Sequence, residues 1–371
     1  MDYNFKTKPF EHQLEALQNS WNKETHAYFM EMGTGKSKVL LDNIAMLYDQ
    51  GRVNSALIIA PKGVYRNWKN QEIPAHLPDH IKANIVCWSP TPTKKEKELL
   101  DSLSVITDDL TIFLMNIEAL STLKGYEAAY RFLLGHRSLM AIDESTTIKS
   151  STASRTKSAL KLGQHAKYRR ILTGSPVTKS PLDLYTQCYF LDPYLLDFSS
   201  YWAFKNRYAL MSQRTAAGGS HSYHHIIKYV RLDELNAKLD KFSTRILKEE
   251  CLDLPEKIYM KRIVSLTPEQ LKAYHEMKKF AVAELEGKTM TAFSVLTQLM
   301  RLHQITCGHI TLDDGTVKEI KSNRLKELLN ALEEVDGKVI IWANYRHDIR
   351  TITKELEKKY GKSAVANLYG D

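Results

Sequence analysis

Met32-Gly33-Thr34-Gly35-Lys36-Ser37 lies between a short apolar run, Ala27–Met30, and a segment of helical periodicity, Ser37–Tyr48. An apolar run that ends in a glycine turn and restarts as a helix reads as a strand–loop–helix step. Glycines in such a loop let backbone N–H groups turn inward around an anion, and the helix N-terminus adds a favourable field. The spacing therefore predicts phosphate binding by Met32, Gly33, Thr34 and Gly35, with Lys36 reaching the β- and γ-phosphates and the Ser37 hydroxyl ligating magnesium. Met30 stands where the common G-x-x-x-x-G-K-[ST] pattern has its first glycine. The competing reading is a glycine turn that only caps a helix. Lys-Ser at the required offset weighs against it.

Further apolar runs follow at Ala56–Ala60, Ile112–Met115, Leu139–Ile142 and Arg170–Leu172, each succeeded by helical periodicity. Continuous apolar strands separated by helices imply a parallel sheet covered on both faces, an α/β domain of the doubly wound kind. At 371 residues the chain is long enough for two or three domains. A hydrophobic content of 43% with 26% charged residues is normal for a globular protein and argues against disorder. No stretch approaches the roughly 20 apolar residues that cross a bilayer, so no membrane partner is expected. The polar start MDYNFKTKPF lacks the apolar core of a signal peptide. Cys87, Cys188, Cys251 and Cys307 are widely separated and read as free thiols of a reducing cytoplasm. The net charge of +9 suits a polyanionic partner without naming one.

Residues 1–191 form the expected first domain. From Asp192 to about Leu254 the chain is rich in aromatic and basic residues and shows no strand pattern, so a largely helical insertion is expected over 192–254. It includes a loop, Ala216–His225, with Gly218 and Gly219. His221, His224 and His225 lack a carboxylate or cysteine at ligand spacing and read as a basic loop rather than a metal site. A boundary near Leu254-Pro255 opens a second, incomplete α/β unit over 255–371. There Leu325, Leu328, Leu329 and Leu332 share a helical stripe, Asp336-Gly337 turns the chain, Val339–Trp342 reads as a buried strand, and Asp348–Lys359 as a helix. The run Lys94–Glu98 has mixed signs and reads as a solvated helix face.

Two more segments carry chemistry. The run Leu139–Ile142 ends in Asp143-Glu144, and adjacent carboxylates at the end of a buried strand are expensive unless a cation holds them. Asp143 suits the magnesium shell, and Glu144 suits polarising an attacking water. Directly after another apolar strand, Thr173-Gly174-Ser175-Pro176 places the hydroxyls of Thr173 and Ser175 where they would sense a γ-phosphate. Alone, that segment is an ordinary strand-to-loop turn.

In this order the three segments resemble the first motor domain of superfamily two helicases. Ile58–Trp68, Ile142–Lys149 and Leu172–Tyr185 narrow the resemblance to the Swi/Snf family of DNA-dependent ATPases. Leu254–Lys257, Leu266–Gln270 with Tyr274, Leu299–His309 and Lys338–Trp342 extend it over nearly the whole chain. The resemblance implies two RecA-like lobes, ATP and magnesium as cofactors, and duplex DNA as the partner of a monomer. A compact member of this kind suits a bacterial or phage protein acting in the cytoplasm. By the same likeness Gln13 reads adenine, Lys62, Arg66 and Lys69 touch the nucleic-acid backbone, and Trp68 beside them stacks on a base. Packing of Trp68 into its own domain is the blander alternative.

Departures from the family pattern are Thr146 in place of the histidine of the Asp-Glu-x-His box and Lys179 where asparagine is usual. Asp371 precedes the family's last two motifs, whose arginines complete the ATP site, so these 371 residues are expected to bind ATP and hydrolyse it slowly. The rival readings are an ATP- and DNA-binding fragment with little turnover and a strand-separating RNA helicase. Thr173-Gly174-Ser175 in place of Ser-Ala-Thr counts against the second.

Overall fold

A computed structural model describes residues 3–215, 222–286, 292–312 and 314–368. The chain divides into two compact units, Met1–Pro255 and Glu256–Asp371. In the first unit, helix α1 (Glu11–Gln18) leads into strand β1 (Thr25–Met30), and helix α2 (Lys36–Asp49) follows the glycine loop. Strands β2 (Ser55–Ala60), β4 (Leu110–Asn116), β5 (Ser138–Asp143) and β6 (Tyr168–Leu172) fall on the expected apolar runs and alternate with helices, while β3 (Ala83–Cys87) lies on none of them and buries only Val86. The sheet has seven strands in the order β3-β4-β2-β5-β6-β1-β9, where β9 is Ser243–Ile246, and every neighbouring pair is parallel.

Both faces of this sheet are apolar, which is why its strands read as unbroken runs. Phe29, Leu57, Ile59, Phe113, Met140, Ile142 and Ile171 pack on one side. Tyr28, Met30, Ile58, Ile112, Leu114, Leu139 and Leu172 pack on the other. Met30 is fully buried as the last residue of β1, so the missing glycine of the loop pattern is a core position here. Arg170 is an exception within its run. Its guanidinium is fully buried, and it donates to Asn43 Oδ1 (2.9 Å) and to the carbonyls of Glu24, Arg169, Ser20 and Lys23 (3.0, 2.8, 3.1 and 2.7 Å). Five donors meet five acceptors, which offsets the desolvation of the cation and ties the α1–β1 connection to the sheet.

The expected helical insertion over 192–254 is corrected. It holds helices Tyr201–Tyr208 and Leu232–Leu239, but also an antiparallel hairpin, β7 (Ala209–Thr215) with β8 (Ser222–Tyr229), and the seventh sheet strand β9. β9 sits at the sheet edge, and only Ile246 of its four residues is buried. An edge strand needs little apolar sequence, because its neighbour supplies the hydrogen bonds. The hairpin likewise lacks an apolar run, with His224 and His225 exposed on β8, while residues 216–221, including Gly218, Gly219 and His221, lie outside the described residues. No group of three or more potential metal ligands occurs among the described residues.

The second unit contains helices Pro268–Glu286, Ala292–Cys307, Arg324–Glu333 and Arg346–Tyr360, with a short antiparallel pair, β10 (His309–Thr311) and β11 (Val317–Glu319). The helix expected over Asp348–Lys359 is present. The leucine stripe of Arg324–Glu333 is half-buried throughout. Val339–Trp342 is not a strand: Ile340 and Trp342 are 80% and 90% exposed. An apolar run becomes a strand only when a neighbour satisfies its backbone, and none of the described residues does so.

Candidate functional site

β1 delivers the chain into a tight turn, in which Glu31 O accepts hydrogen bonds from Thr34 N (3.2 Å) and Thr34 Oγ1 (2.7 Å). Gly33 and Gly35 both have φ of 86°, the left-handed region that side chains disfavour. Gly35 is doubly constrained, because a Cβ there would fall 2.1 Å from Gln13 Nε2. Gln13 is buried beneath the loop, accepting from Phe10 N (3.1 Å) and donating to Thr34 O (3.0 Å). His12 Nε2 also bonds Thr34 O, at 2.9 Å. The N-terminal helix thus braces the loop from below. Met32 is exposed, and Lys36 and Ser37 open helix α2 half-buried.

β5 lies two strands from β1 and brings its carboxylates to the same end of the sheet. Lys36 Nζ is 3.9 Å from Glu144 Oε1. Glu144 adopts φ 49° and ψ 59°, an uncommon conformation for a side-chain-bearing residue, costing about 1–2 kcal/mol. That turn leaves its carboxylate half-exposed, while Glu144 Oε2 accepts from Thr173 Oγ1 at 3.3 Å. Thr173 is buried and its oxygen accepts from Ser175 N at 3.2 Å, whereas the Ser175 side chain is exposed. Thr146 is half-buried in the turn Ser145–Ile148. Lys36, Asp143, Glu144 and Thr173 therefore converge beside the glycine loop.

Asp143 is buried, with Oδ1 accepting from Glu144 N (3.0 Å) and Oδ2 from Trp68 Nε1 (3.2 Å). Burial and then the Glu144 charge push its carboxyl from the usual 3.8 up to about 6, against the opposing pull of Lys36 and the Trp68 bond. Trp68 is accordingly corrected: its indole is 1% exposed and cannot stack on a base. It packs in the core and orients Asp143. Lys62, Arg66 and Lys69 are exposed beside it, with Arg66 Nε donating to Tyr65 Oη at 3.1 Å.

The donor set fits a magnesium–nucleotide complex: left-handed glycines at a helix N-terminus, an ammonium, a helix-opening hydroxyl and a buried carboxylate. A raised pKa has a measurable consequence for stability. Between about pH 4 and 6 the folded state holds a proton on Asp143 that the unfolded chain has released, so the stability of the neutral form is lost as pH rises through about 6. Asp143→Asn removes that loss and gives up one acceptor, so the variant is expected to be about 2 kcal/mol more stable at pH 8, as an order of magnitude, with no gain at pH 4. Thermal unfolding from pH 4 to 8 measures this, and equal melting temperatures at pH 8 would contradict it.

The family model described as SNF2-related domain matches residues 12–311. The chain belongs to the SNF2-related family. Among relatives, the chromatin-remodeling ATPase INO80 of Cryptococcus neoformans is 26% identical over 262 residues, 67% of this chain and 14% of the fungal protein. The putative ATP-dependent helicase/translocase YwqA of Bacillus subtilis is 25% identical over 349 residues, 90% of this chain and 34% of YwqA. Putative protein p41 of Acyrthosiphon pisum secondary endosymbiont phage 1 is 23% identical over 377 aligned residues, covering 98% of this chain and 77% of p41. This SNF2-related chain thus spans a small part of the large relatives and most of the phage one. The Sulfolobus solfataricus SWI2/SNF2 ATPase core in complex with dsDNA has the same fold, with a TM-score of 0.52 at 22% identity over 97% of this chain and 72% of that one.

Within the SNF2-related chain, sequence reasoning missed two contributors to the site and the role of another, Trp68. His12 sits beside a glutamine that drew attention for another reason. Trp68 was visible, but its partner lies 75 positions away. The third is the end of β9 and the turn beyond it, where Arg245 Nη1 of the strand donates to Gly174 O (3.3 Å) and Lys248 N, two residues past the strand, to Glu31 Oε2 (2.9 Å). The Arg-x-x-Lys spacing in a polar stretch was its only signal.

Proposed function

We propose that this SNF2-related chain is an ATP-driven motor that binds and hydrolyses ATP and tracks along duplex DNA through its phosphate backbone. The observation that carries the reading is the convergence of Lys36, Asp143, Glu144 and Thr173 on the glycine loop. In it, Lys36 binds the β- and γ-phosphates, Glu144 takes up a proton from the attacking water, and Thr173 holds the Glu144 carboxylate in place. Ser37 and Asp143 would hold magnesium, which neutralises charge on the phosphates when bound. Gln13 reads adenine in the same reading, using the acceptor and donor capacity that its two backbone bonds leave over. Slow turnover by these 371 residues belongs to it as well. Lys36 and Lys248 lie against the loop as ammoniums, Arg245 is engaged by the Gly174 carbonyl, and an arginine supplied to the phosphates is typically worth about 10³–10⁵ in rate.

Duplex DNA as the partner is supported by the exposed Lys62, Arg66 and Lys69, the +9 charge, and the dsDNA held by the Sulfolobus relative. Action as a monomer in the cytoplasm of a bacterial or phage-infected cell completes the reading, supported by four free cysteines and the phage and bacterial relatives. Among the described residues no helix is long and apolar enough to cross a membrane. Duplex binding is expected to weaken steeply with salt, and Lys62→Ala or Arg66→Ala to reduce the log–log salt slope by about 1 each, equally for unrelated sequences. Titrations of duplex DNA, single strands and RNA at several salt concentrations test this, with ATPase rates measured alongside. Binding indifferent to salt, or stimulation by RNA alone, would reject the DNA-motor reading.

A further inference from the structure

We propose that Lys248 supplies a second ammonium to the polyphosphate bound on the glycine loop, so that the edge strand β9 is part of the nucleotide site. The inference rests on the nucleotide-binding reading above and adds a residue to it. β9 runs parallel to β1 with Met30 opposite Ile246, so the two chains leave the sheet at the same end and side by side. Two hydrogen bonds then clamp them together: Glu31 N donates to Ile246 O (3.0 Å), and Lys248 N donates to the Glu31 side-chain Oε2 (2.9 Å). The clamp fixes where the Lys248 side chain starts, at the root of the loop.

From there the side chain runs over Gly33. A Cβ on Gly33 would lie 3.5 Å from Lys248 Cε and 3.9 Å from Lys248 Nζ. The ammonium therefore overlies the glycine whose φ of 86° opens the loop. The Glu31 carboxylate accepts from the Lys248 backbone N–H rather than from its ammonium. Among the described residues the Lys248 ammonium has neither an ion-pair nor a hydrogen-bond partner. Lys36, by contrast, faces Glu144 at 3.9 Å. A half-buried, unpaired cation beside backbone amides that already favour an anion adds repulsion to the empty loop, and a polyphosphate relieves it. The same arrangement connects the loop to Thr173-Gly174-Ser175, since Arg245, three residues before Lys248, donates to Gly174 O at 3.3 Å.

The test is calorimetry with Mg–ATP on the 371-residue chain and three variants, Lys36→Ala, Lys248→Met and Lys248→Arg, with thermal unfolding of each in the absence of nucleotide. Lys248→Met is expected to weaken Mg–ATP binding about 10- to 100-fold, the worth of one charge-assisted contact, with the nucleotide-free melting temperature equal to wild type or slightly higher. Lys248→Arg is expected to recover most of that loss. Wild-type affinity in Lys248→Met alongside lost affinity in Lys36→Ala would overturn the role of Lys248 and leave the nucleotide site standing. Equal losses in the Met and Arg variants would mean packing rather than charge, and would also overturn it. Failure of the wild-type chain to bind Mg–ATP would instead remove the nucleotide reading on which it rests.

Discussion

Glu144→Gln lowers ATP hydrolysis by about 10²–10⁴ while leaving ATP affinity within a factor of about two, as expected for removal of a general base. The side chain is held by its environment rather than by its charge alone. Its backbone is turned into the left-handed region, and Thr173 Oγ1 donates to Oε2 at 3.3 Å. Glutamine preserves the length and can still accept from Thr173, so the geometry survives the change. What disappears is the capacity to take a proton. Lys36 loses a carboxylate 3.9 Å away, which leaves its ammonium freer for phosphate and keeps binding intact. Steady-state phosphate release beside calorimetry separates the two quantities. Turnover equal to wild type in the variant would assign the base to another residue, and lost binding would show that Glu144 is structural.

Lys36→Ala acts on the other quantity. Contacts to two phosphates, each a charge-assisted bond, imply a loss in Mg–ATP affinity of about 10²–10⁴-fold. The fold should tolerate the change, because the ammonium pairs with half-exposed Glu144 rather than with the core. The loss also removes the cation that opposes the upward push on Asp143, so its carboxyl should shift further upward. Equal affinity in wild type and variant would sink the assignment of the glycine loop as the phosphate site. A variant that fails to fold would move Lys36 from ligand binding to structure, and circular dichroism decides that point.

The glycine loop was legible because its chemistry is local. Gly33 and Gly35 need no distant partner to explain them, since φ of 86° is a property of the residue itself. The five apolar runs were legible for a related reason: a strand covered on both faces is apolar at nearly every position, Arg170 excepted, so burial is written directly into the run. Asp143-Glu144 gained meaning from sitting at the end of one of them. Belonging to the SNF2-related family was likewise readable, because the ordered set of segments lies along the chain rather than across it.

Tertiary structure decided what depends on a partner far away in sequence. β9 is a strand because β1 offers an open edge more than 200 positions earlier, and its polar residues gave no sign of that. Val339–Trp342 has the composition of a strand but finds no neighbour among the described residues, so the same reasoning failed in the opposite direction. Trp68 has the appearance of a surface aromatic among basic residues, and only the assembled core, with Asp143 accepting from its indole N–H, turns it inward. Lys248 reaches the loop through a clamp on Glu31 that links two strand ends. Local sequence sets which φ angles and which burials a segment tolerates, while hydrogen-bond partners and edges are properties of the assembled sheet.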